Sequence, residues 1–557
     1  MTSHADIASP APRAASPLSI PIFRAVWVAS LLSNFGGLIQ SVGASWMMTS
    51  LVQSPQMVAL VQASSALPFM LLSLLAGAVA DNMDRRRVML TAQCFMLLTS
   101  ATLSIFAWEG WLTPWLLLTF TFLIGCGTAM NGPAWQASVG DIVPRAQLPG
   151  AVALNSMGFN MARSVGPAIG GAIVAAAGAA TAFLVNSMSY IGLILVLLRW
   201  RPDFPPRVLP PERLLMAMGA GLRYVAMSPN LRIVMLRAAS FGIAANAVPA
   251  LMPLVARTLI KGGPLTYGAL LGAFGIGAVI GALGSGRLRS QLSTEAMIRL
   301  AALGLAIGTA LTGISPYMEL TAAALMLAGA SWVVALSTFN VTVQLASPRW
   351  VVARALSIYQ MTAFGGMAIG AWVLGLIAEH QGVSDALLIG AGIQMAVLLL
   401  GFLAPLPQVQ DLNLDPLRQW TEPDTAVPLE PRSGPVVIAV EYRIEPHNIV
   451  AFLSAMTERR RIRRRDGAHG WTLLRDLHDA ELWIERFHLA TWLDYVRYNQ
   501  RLTQADAETT AVLHKLQKPG EPFRVQRLIE RQTGSLPTSR RSDPVTDDPI
   551  TDPARSA

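Results

Sequence analysis

Residues 77–87 read Gly77-Ala-Val-Ala-Asp81-Asn-Met-Asp84-Arg85-Arg86-Arg87. An uncharged run, 57–80, leads into this stretch, and a second, 88–108, leaves it. Each run is long enough to cross a bilayer, which takes about 20 apolar residues. The stretch is therefore a short, arginine-rich turn between two membrane spans. Gly77 lacks a side chain where a neighbouring helix can approach closely. Asp81 stands where the first span meets water, within reach of Arg85 or of the positive N-terminus of another helix. That arrangement is expected to latch one side of the molecule.

Working outward, the pattern repeats. Of the 557 residues, 53% are hydrophobic and only 13% charged, against about 25% charged in an ordinary soluble domain. With 45 glycines, the chain suits closely packed membrane helices. Spans are expected at 23–49, 57–80, 88–108, 113–137, 148–176, 180–199, 233–257, 265–286, 296–315, 320–345, 355–378 and 384–405, with a turn near Gly178. Alternate loops carry Arg85, Arg86 and Arg87, then Arg145, then Arg201, Arg207 and Arg213, then Arg287 and Arg289, then Arg349. The other loops are nearly bare of cations, with Arg257 and Lys261 the exceptions. Arginines gather on the cytosolic side of membrane proteins, so both termini are expected in the cytosol. The same bias accounts for the net charge of +9 without nucleic acid. Cys94 and Cys126 lie in apolar runs and are expected as buried free thiols, with no metal site. Residues 1–20 read as a cytosolic tail without the features of a cleaved signal.

The two halves match. A constant offset of 204 residues pairs Gly77 with Gly281, Arg85 with Arg289, Pro144 with Pro348, Arg145 with Arg349, Gly166 with Gly370, and Gly171 with Gly375. The expected architecture is an all-α membrane protein of twelve helices in two six-helix repeats, 21–200 and 219–405, joined by a cytosolic loop, 201–218. In the second copy Ser285 stands where the first has Asp81, so its latch is weakened.

Beyond Pro405 the character changes. Residues 406–434 are rich in Pro, Asp and Glu and read as a linker. Residues 436–444 alternate as a strand, 446–464 read as a helix, 471–477 and 482–489 as strands, 491–516 as a helix, and 523–529 as a last strand. The order β-α-β-β-α-β is that of the ferredoxin-like fold, placing a small α+β domain at 435–530, followed by a tail, 531–557. The basic run Arg459–Arg461 and Arg463–Arg465 reads as a solvated helix face, or one lying against anionic lipid.

Three groups of residues are candidates for function. The first is the turn: Gly77, Asp81, Asp84, Arg85 and Arg86. The second is Gly166, Pro167, Gly170 and Gly171 in the fifth span, where Gly and Pro bend a helix and thin its packing face. The third lines a cavity: Asn34, Gln40, Asn131, Arg163, Asn246 and Gln360. Arg163 lies about fifteen residues into the fifth span, near mid-membrane at roughly 1.5 Å per residue. A charge there costs about 2.5–3.5 kcal/mol or more unless it faces a cavity or partner; the other reading is that the side chain reaches back to the cytosol. Glu109, Glu319 and Glu379 fall at one set of span ends and Asp141 and Glu295 at the other. No carboxylate is thereby assigned to ion coupling.

The turn 77–87 resembles the signature loop of the major facilitator superfamily, and Gly166-Pro-Ala-Ile-Gly170-Gly171 resembles the Gly-Pro signature of its antiporters. Ser33-Asn-Phe-Gly36 through Trp46, Pro133-Ala-Trp-Gln136, Val143-Pro-Arg145, Ala153-Leu-Asn155 and Ala162-Arg163 resemble the transmembrane secretion effector subgroup, which includes the enterobactin exporter. The resemblance covers about 20–405 and implies a bacterial inner-membrane efflux permease for a siderophore, drug or metabolite. A lysophospholipid flippase or importer of the same fold is the alternative. The extension resembles the dimeric monooxygenase-like ferredoxin family, which implies a homodimer through that domain. Trp471, Trp483, Trp492 and His488 would suit a quinone or haem pocket. However, the haem-degrading relatives carry a histidine in the helix that here reads Tyr495-Val-Arg-Tyr498. An enzyme is not expected, nor any catalytic residue, cofactor or metal. No ATP-binding GxxxxGK[ST] loop is present, so transport would run on a gradient.

Overall fold

The computed structural model describes residues 16–144, 147–200, 214–407, 413–415, 417, 420 and 422–530. Residues 1–15 of the expected tail 1–20, the expected tail 531–557, Arg145, residues 201–213 of the expected loop 201–218 and the side chain of Asp81 lie outside the described residues. The rest falls in two compact units. One holds residues up to 218, 233–343 and 356–408; the other holds 219–232, 344–355 and the chain from 409.

The first unit is helical. Its elements are α1 (Pro21–Leu51), α2 (Pro55–Asn82), α3 (Arg85–Trp108), α4 (Pro114–Ile142), α5 (Leu148–Arg199), the start of α6 (Leu214–Met227), most of α7 (Pro229–Ala245), α8 (Ala247–Leu254), α9 (Pro264–Gln291), α10 (Thr294–Ile314), α11 (Met318–Leu345), α12 (Val352–Gln381) and α13 (Val383–Leu403). Among the described residues, 11 helical stretches are long and apolar enough to cross a membrane. Their starts follow from local chemistry. Ser54, Thr113 and Ser293 each accept a backbone N–H at a helix N-terminus, and proline opens α1, α2, α4 and α9, where its missing N–H costs nothing.

One stretch does not fit a single crossing. Helix α5 runs for 52 residues, roughly 78 Å at 1.5 Å per residue, far beyond a hydrocarbon core of about 30 Å. It breaks at Gly178, whose φ of 80° is open to glycine at no steric cost. That is the turn expected there. Two helical details differ from the sequence reading. Residues 214–227 form α6, which starts inside the loop expected at 201–218 and ends ahead of the span expected from 233. The span expected at 233–257 begins at Pro229, is interrupted at Asn246, and ends in a π-helical turn, Val255–Leu259. Cys94 and Cys126 are free thiols, half-buried rather than buried.

The second unit contains a four-stranded sheet built from β1 (Val436–Arg443), β2 (His469–Arg475), β3 (Leu482–Leu489) and β4 (Arg524–Ile529). The strand order is β2-β3-β1-β4, antiparallel throughout. Helix α14 (Ile449–Arg465) joins β1 to β2, and α15 (Trp492–Arg501) and α16 (Gln504–Leu516) join β3 to β4. The single helix expected at 491–516 is two because Thr503 caps α16: its hydroxyl accepts from Asp506 N while the Asp506 carboxylate accepts from the Thr503 backbone, a capping box that starts a new helix. On the helix-covered face Ile438, Tyr442, Phe452, Phe487 and Tyr498 are all 3% exposed or less, each such burial contributing roughly 1.5–3 kcal/mol.

Two readings of this unit are corrected. The dense arginine run is not uniformly a solvated face: Arg463 and Arg465 are buried, because carboxylates from β3, the end of α14 and α16 lie against them. Arg463 donates to both oxygens of Glu485 at 3.0 and 3.2 Å, and Arg465 to Asp466 and Asp506 at 2.9 Å. The stretch read as a linker is also engaged. Leu417 N donates to Leu502 O, the Asn413 and Asp415 carbonyls accept from Ala505 and Gln504, and Trp492 Nε1 donates to Glu422. Trp483 and Phe487 lie in the core of this unit.

Candidate functional site

At the Arg-rich turn, Asp84 caps α3, its carboxylate accepting from Arg86 N at 3.0 Å. Arg85 donates to Asp141 Oδ2 at 2.7 Å and to Ala137 O at 3.1 Å. Arg86 donates to the carbonyls of Leu197 and Leu198 at 2.7 and 2.9 Å, where the C-terminus of α5 offers unpaired acceptors and negative potential. The turn therefore ties α3 to the ends of α4 and α5. The described carboxylate partner of Arg85 is Asp141, because the end of α4 lies against the first turn of α3. Gly77 faces Ser357 of α12, whose Oγ would lie 2.8 Å from an added Cβ. Ser285, 204 residues after Asp81, donates its hydroxyl to Ala282 O of its own helix at 2.7 Å.

The second group sits where helices touch through their backbones. Gly166 and Gly170 face Leu38 and Ile39 of α1. A Cβ on Gly171 would stand 2.8 Å from Gly268 Cα, and one on Gly268 would stand 2.7 Å from Pro167 O. One turn earlier, Ser164 Oγ donates to Gly275 O at 3.1 Å. Pro167 has no N–H for the Arg163 carbonyl, and that carbonyl faces Gly275, 2.7 Å from where a Cβ would be. The motif thus makes one face of α5 thin enough for α9 to lie directly on it. Helix α12 does the same elsewhere: Gly366 and Gly370 face the backbone of Ala239 and Ile243 on α7, and Gly375 faces Gln56 and Ala59 on α2.

The third group divides. The Arg163 guanidinium lies 3.8 Å from the centroid of Trp332 on α11 and 6.0 Å from that of Phe274 on α9. It points into the protein rather than back along its helix. Among the described residues no carboxylate pairs with it; a desolvated cation–π contact is worth about 2 kcal/mol or more. Gln40 is buried and accepts from Ser100 Oγ at 2.9 Å and from Asn186 Nδ2, and Asn186 also donates to Tyr190 at 3.0 Å. Asn246 is buried and donates to Met367 O at 2.8 Å. These two are cross-links between helices. Asn34 is exposed and Gln360 half-buried. Asn131 is half-buried, and its buried Oδ1 accepts no hydrogen bond among the described residues.

Three features were missed in the sequence. At the end away from the Arg-rich turn, the Glu379 carboxylate of α12 accepts from Ser54 Oγ at 2.6 Å and from Gln56 N at 3.1 Å, sealing the N-terminus of α2. Beside it Arg257, in the π-helical turn, donates to Thr49 O at the end of α1, and Trp46 stacks on Tyr267 at 6.2 Å. Lastly, Arg237 is fully buried in α7, pairing with Glu295 at 3.2 Å and donating to Val397 O at 2.6 Å. The cost of a charge inside a span flags Arg237 as it flags Arg163, but only the paired Glu295 explains its place.

The model of the family described as transmembrane secretion effector matches residues 13–533, through the C-terminal sheet. The chain belongs to that family. Membership makes it a multi-pass major facilitator transporter of small molecules and not an enzyme. Among similar proteins, the multidrug efflux pump Tap of Mycolicibacterium fortuitum is 24% identical over 69% of this chain and 96% of its own length. The enterobactin exporter EntS of Escherichia coli O1:K1 / APEC is 27% identical over 68% of this chain and 91% of its own. The staphyloferrin A transporter of Staphylococcus aureus is 29% identical, but the match spans only 43% of that protein. Solved structures share the fold: the nucleoside transporter NupG, as its D323A mutant, superposes with a TM-score of 0.57 at 15% identity over 69% of this chain and all of NupG. The POT family transporter PepTSo gives 0.57 at 13% identity, over 70% of this chain and 97% of its own.

Proposed function

We propose that this chain is a secondary efflux transporter that moves a siderophore, drug or metabolite out across the bacterial inner membrane by alternating access, driven by a gradient in antiport. The observation that carries the reading is the pair of glycine-lined crossings, α5 on α9 and α12 on α2. Helices α5 and α12, α1 and α7, and α2 and α9 are matched by the 204-residue offset, so each crossing is the counterpart of the other. Counting α5 as two spans broken at Gly178 gives twelve, six in each repeat. Glycine-lined crossings let two rigid halves rock on each other while a site between them faces either side. Arg163, reaching from α5 to Trp332 of α11, sits at that interface and would meet an anionic substrate. The efflux direction draws on relatives named as an efflux pump and an exporter.

Inverted membrane vesicles loaded with a proton gradient test this. A panel of catecholate and carboxylate siderophores, cationic drugs and lysophospholipids should give gradient-dependent uptake of at least one of the first two classes. Asp81→Asn should lower that uptake roughly tenfold at unchanged membrane level, since a missing charge at a closing interface leaves its partner unpaired, whereas Ser285→Ala should change it less than about twofold. Uptake of lysophospholipid alone would favour the flippase reading.

Orientation has its own check. With the Arg-rich turns in the cytosol, a reporter active only in the periplasm should give signal when fused after Trp108 and none after Pro405. Signal after Pro405 would break the even span count. The C-terminal domain is read as ferredoxin-like and cytosolic, an accessory to the transport helices.

A further inference from the structure

The six arginines of the α14 run are not equivalent. Arg459 donates to Thr510 at 2.8 Å, Arg461 pairs with Glu458 and donates to Met227 O at 2.7 Å, and Arg463 and Arg465 are held by Glu485, Asp466 and Asp506. Arg460 and Arg464 are exposed, one helical turn apart, and no carboxylate pairs with either among the described residues. Both line a cleft of about 550 Å³ within the second unit. Arg223 of α6 enters it from another side, its Nε donating to Arg465 O at 3.4 Å. His469 and Trp471 of β2 complete the wall, with the Arg460 guanidinium 5.6 Å from the Trp471 ring, and no carboxylate is among the lining residues.

Three guanidiniums in one concavity repel one another; Asp466 and Asp494 offset part of the charge on Arg223, but no carboxylate does so by pairing with Arg460 or Arg464 among the described residues, and such a cluster is relieved by an anion. Guanidinium geometry matches phosphate oxygens two at a time. Residues four apart on a helix stand about 5–6 Å apart at Cβ, so Arg460 and Arg464 can each take one phosphate group. The Trp471 ring offers a flat face to whatever carries the phosphate. We propose that this cleft is a binding site for a phosphate-bearing anion. That chemistry has two sources, a soluble phosphorylated small molecule and the headgroup of an anionic phospholipid; Arg223 lies six residues before the span that begins at Pro229. The proposal does not depend on the transport reading.

The test uses the full chain in phosphatidylcholine nanodiscs, titrated calorimetrically with pyrophosphate at low salt. Wild type should bind, and binding should weaken as salt rises. Arg460→Ala/Arg464→Ala should weaken it by roughly tenfold or more, and Arg223→Ala should act in the same direction from a different helix. Arg524→Ala, an exposed arginine on β4, should leave it unchanged. Because Arg460 and Arg464 are exposed, the double variant should melt like wild type; if it does not, Arg223→Ala decides. Nanodiscs containing phosphatidylglycerol separate the sources. Loss of pyrophosphate binding there, with phosphatidylglycerol retained by wild type but not by the double variant in native mass spectrometry, assigns the lipid headgroup. Unchanged binding assigns the soluble ligand. Equal pyrophosphate binding in wild type and both variants, or no binding of pyrophosphate and no retained phosphatidylglycerol, overturns the site.

Discussion

Replacing Glu485 with alanine is expected to unfold the C-terminal domain at ordinary temperature. Glu485 is fully buried on β3, yet its carboxylate is completely engaged: Arg463 donates twice, Tyr442 Oη donates at 2.8 Å, and Trp471 Nε1 donates at 2.9 Å. Arg463 also donates to Tyr498 Oη at 2.5 Å. Removing the carboxylate strands a buried guanidinium and two donors, a loss of about 3–5 kcal/mol, comparable to much of a small domain's stability. Trypsin should then cut the full chain rapidly within 436–530 while wild type resists. The double change Glu485→Leu/Arg463→Leu should recover part of the resistance, because no charge is left alone. Equal resistance of Glu485→Ala and wild type would mean the network carries no stability. The same carboxylate sets an acid dependence. Burial by itself would raise the Glu485 carboxyl, but Arg463 and Arg459 outweigh it and hold it down at about 2. A depressed folded value stabilises above the unfolded value near 4.5, and that contribution, about 3 kcal/mol, disappears as pH falls from there toward about 2. Thermal unfolding of the domain should show this loss in wild type and a flatter profile in Glu485→Gln.

The second large effect concerns the sealed end of the helix bundle. Glu379→Ala removes a carboxylate that accepts from Ser54 Oγ and from Gln56 N. Hydrogen bonds to a charged group contribute about 1.5–3 kcal/mol, so the balance between closed and open forms at that end should shift by roughly 10–150-fold. Spin labels at the exposed positions Gln53 and His380 report it directly. Double electron–electron resonance should show a longer-distance population in Glu379→Ala that is minor in wild type. Arg257→Ala should move the distribution the same way, because its guanidinium holds the Thr49 carbonyl across the same seam. Glu319→Ala, at the exposed first turn of α11, should not. Identical distributions in wild type and Glu379→Ala would show that these contacts do not hold the end closed.

Local chemistry made the helices and strands legible. An uncharged run of some twenty residues has few other stable forms in a bilayer, so the spans followed from composition, and Gly178 marked the turn inside α5 because glycine alone takes that backbone conformation freely. Strand alternation gave β1 and β3, and Gly-Pro in α5 announced a thin helix face. What faced that face was not legible. Nothing in residues 166–171 names Gly268 or Gly275 as the surface they meet, about a hundred positions away, since a close approach needs a gap on both helices at one height. Arg85 has Asp81 and Asp84 as near neighbours in sequence, and nothing local names Asp141, which the fold brings to it. The arginines of α14 look alike in the chain and differ in fate because a step of one residue, about 100° around the helix, moves a side chain from beneath β3 to the open cleft. The sequence alone determined which segments span, turn and alternate, because those depend on residues within one turn or one strand. Only the tertiary structure decided which charges are paired, because a partner is a matter of distance in space: Glu485 for Arg463, Glu295 for Arg237, Trp332 for Arg163, and for Arg460 and Arg464 no carboxylate among the described residues.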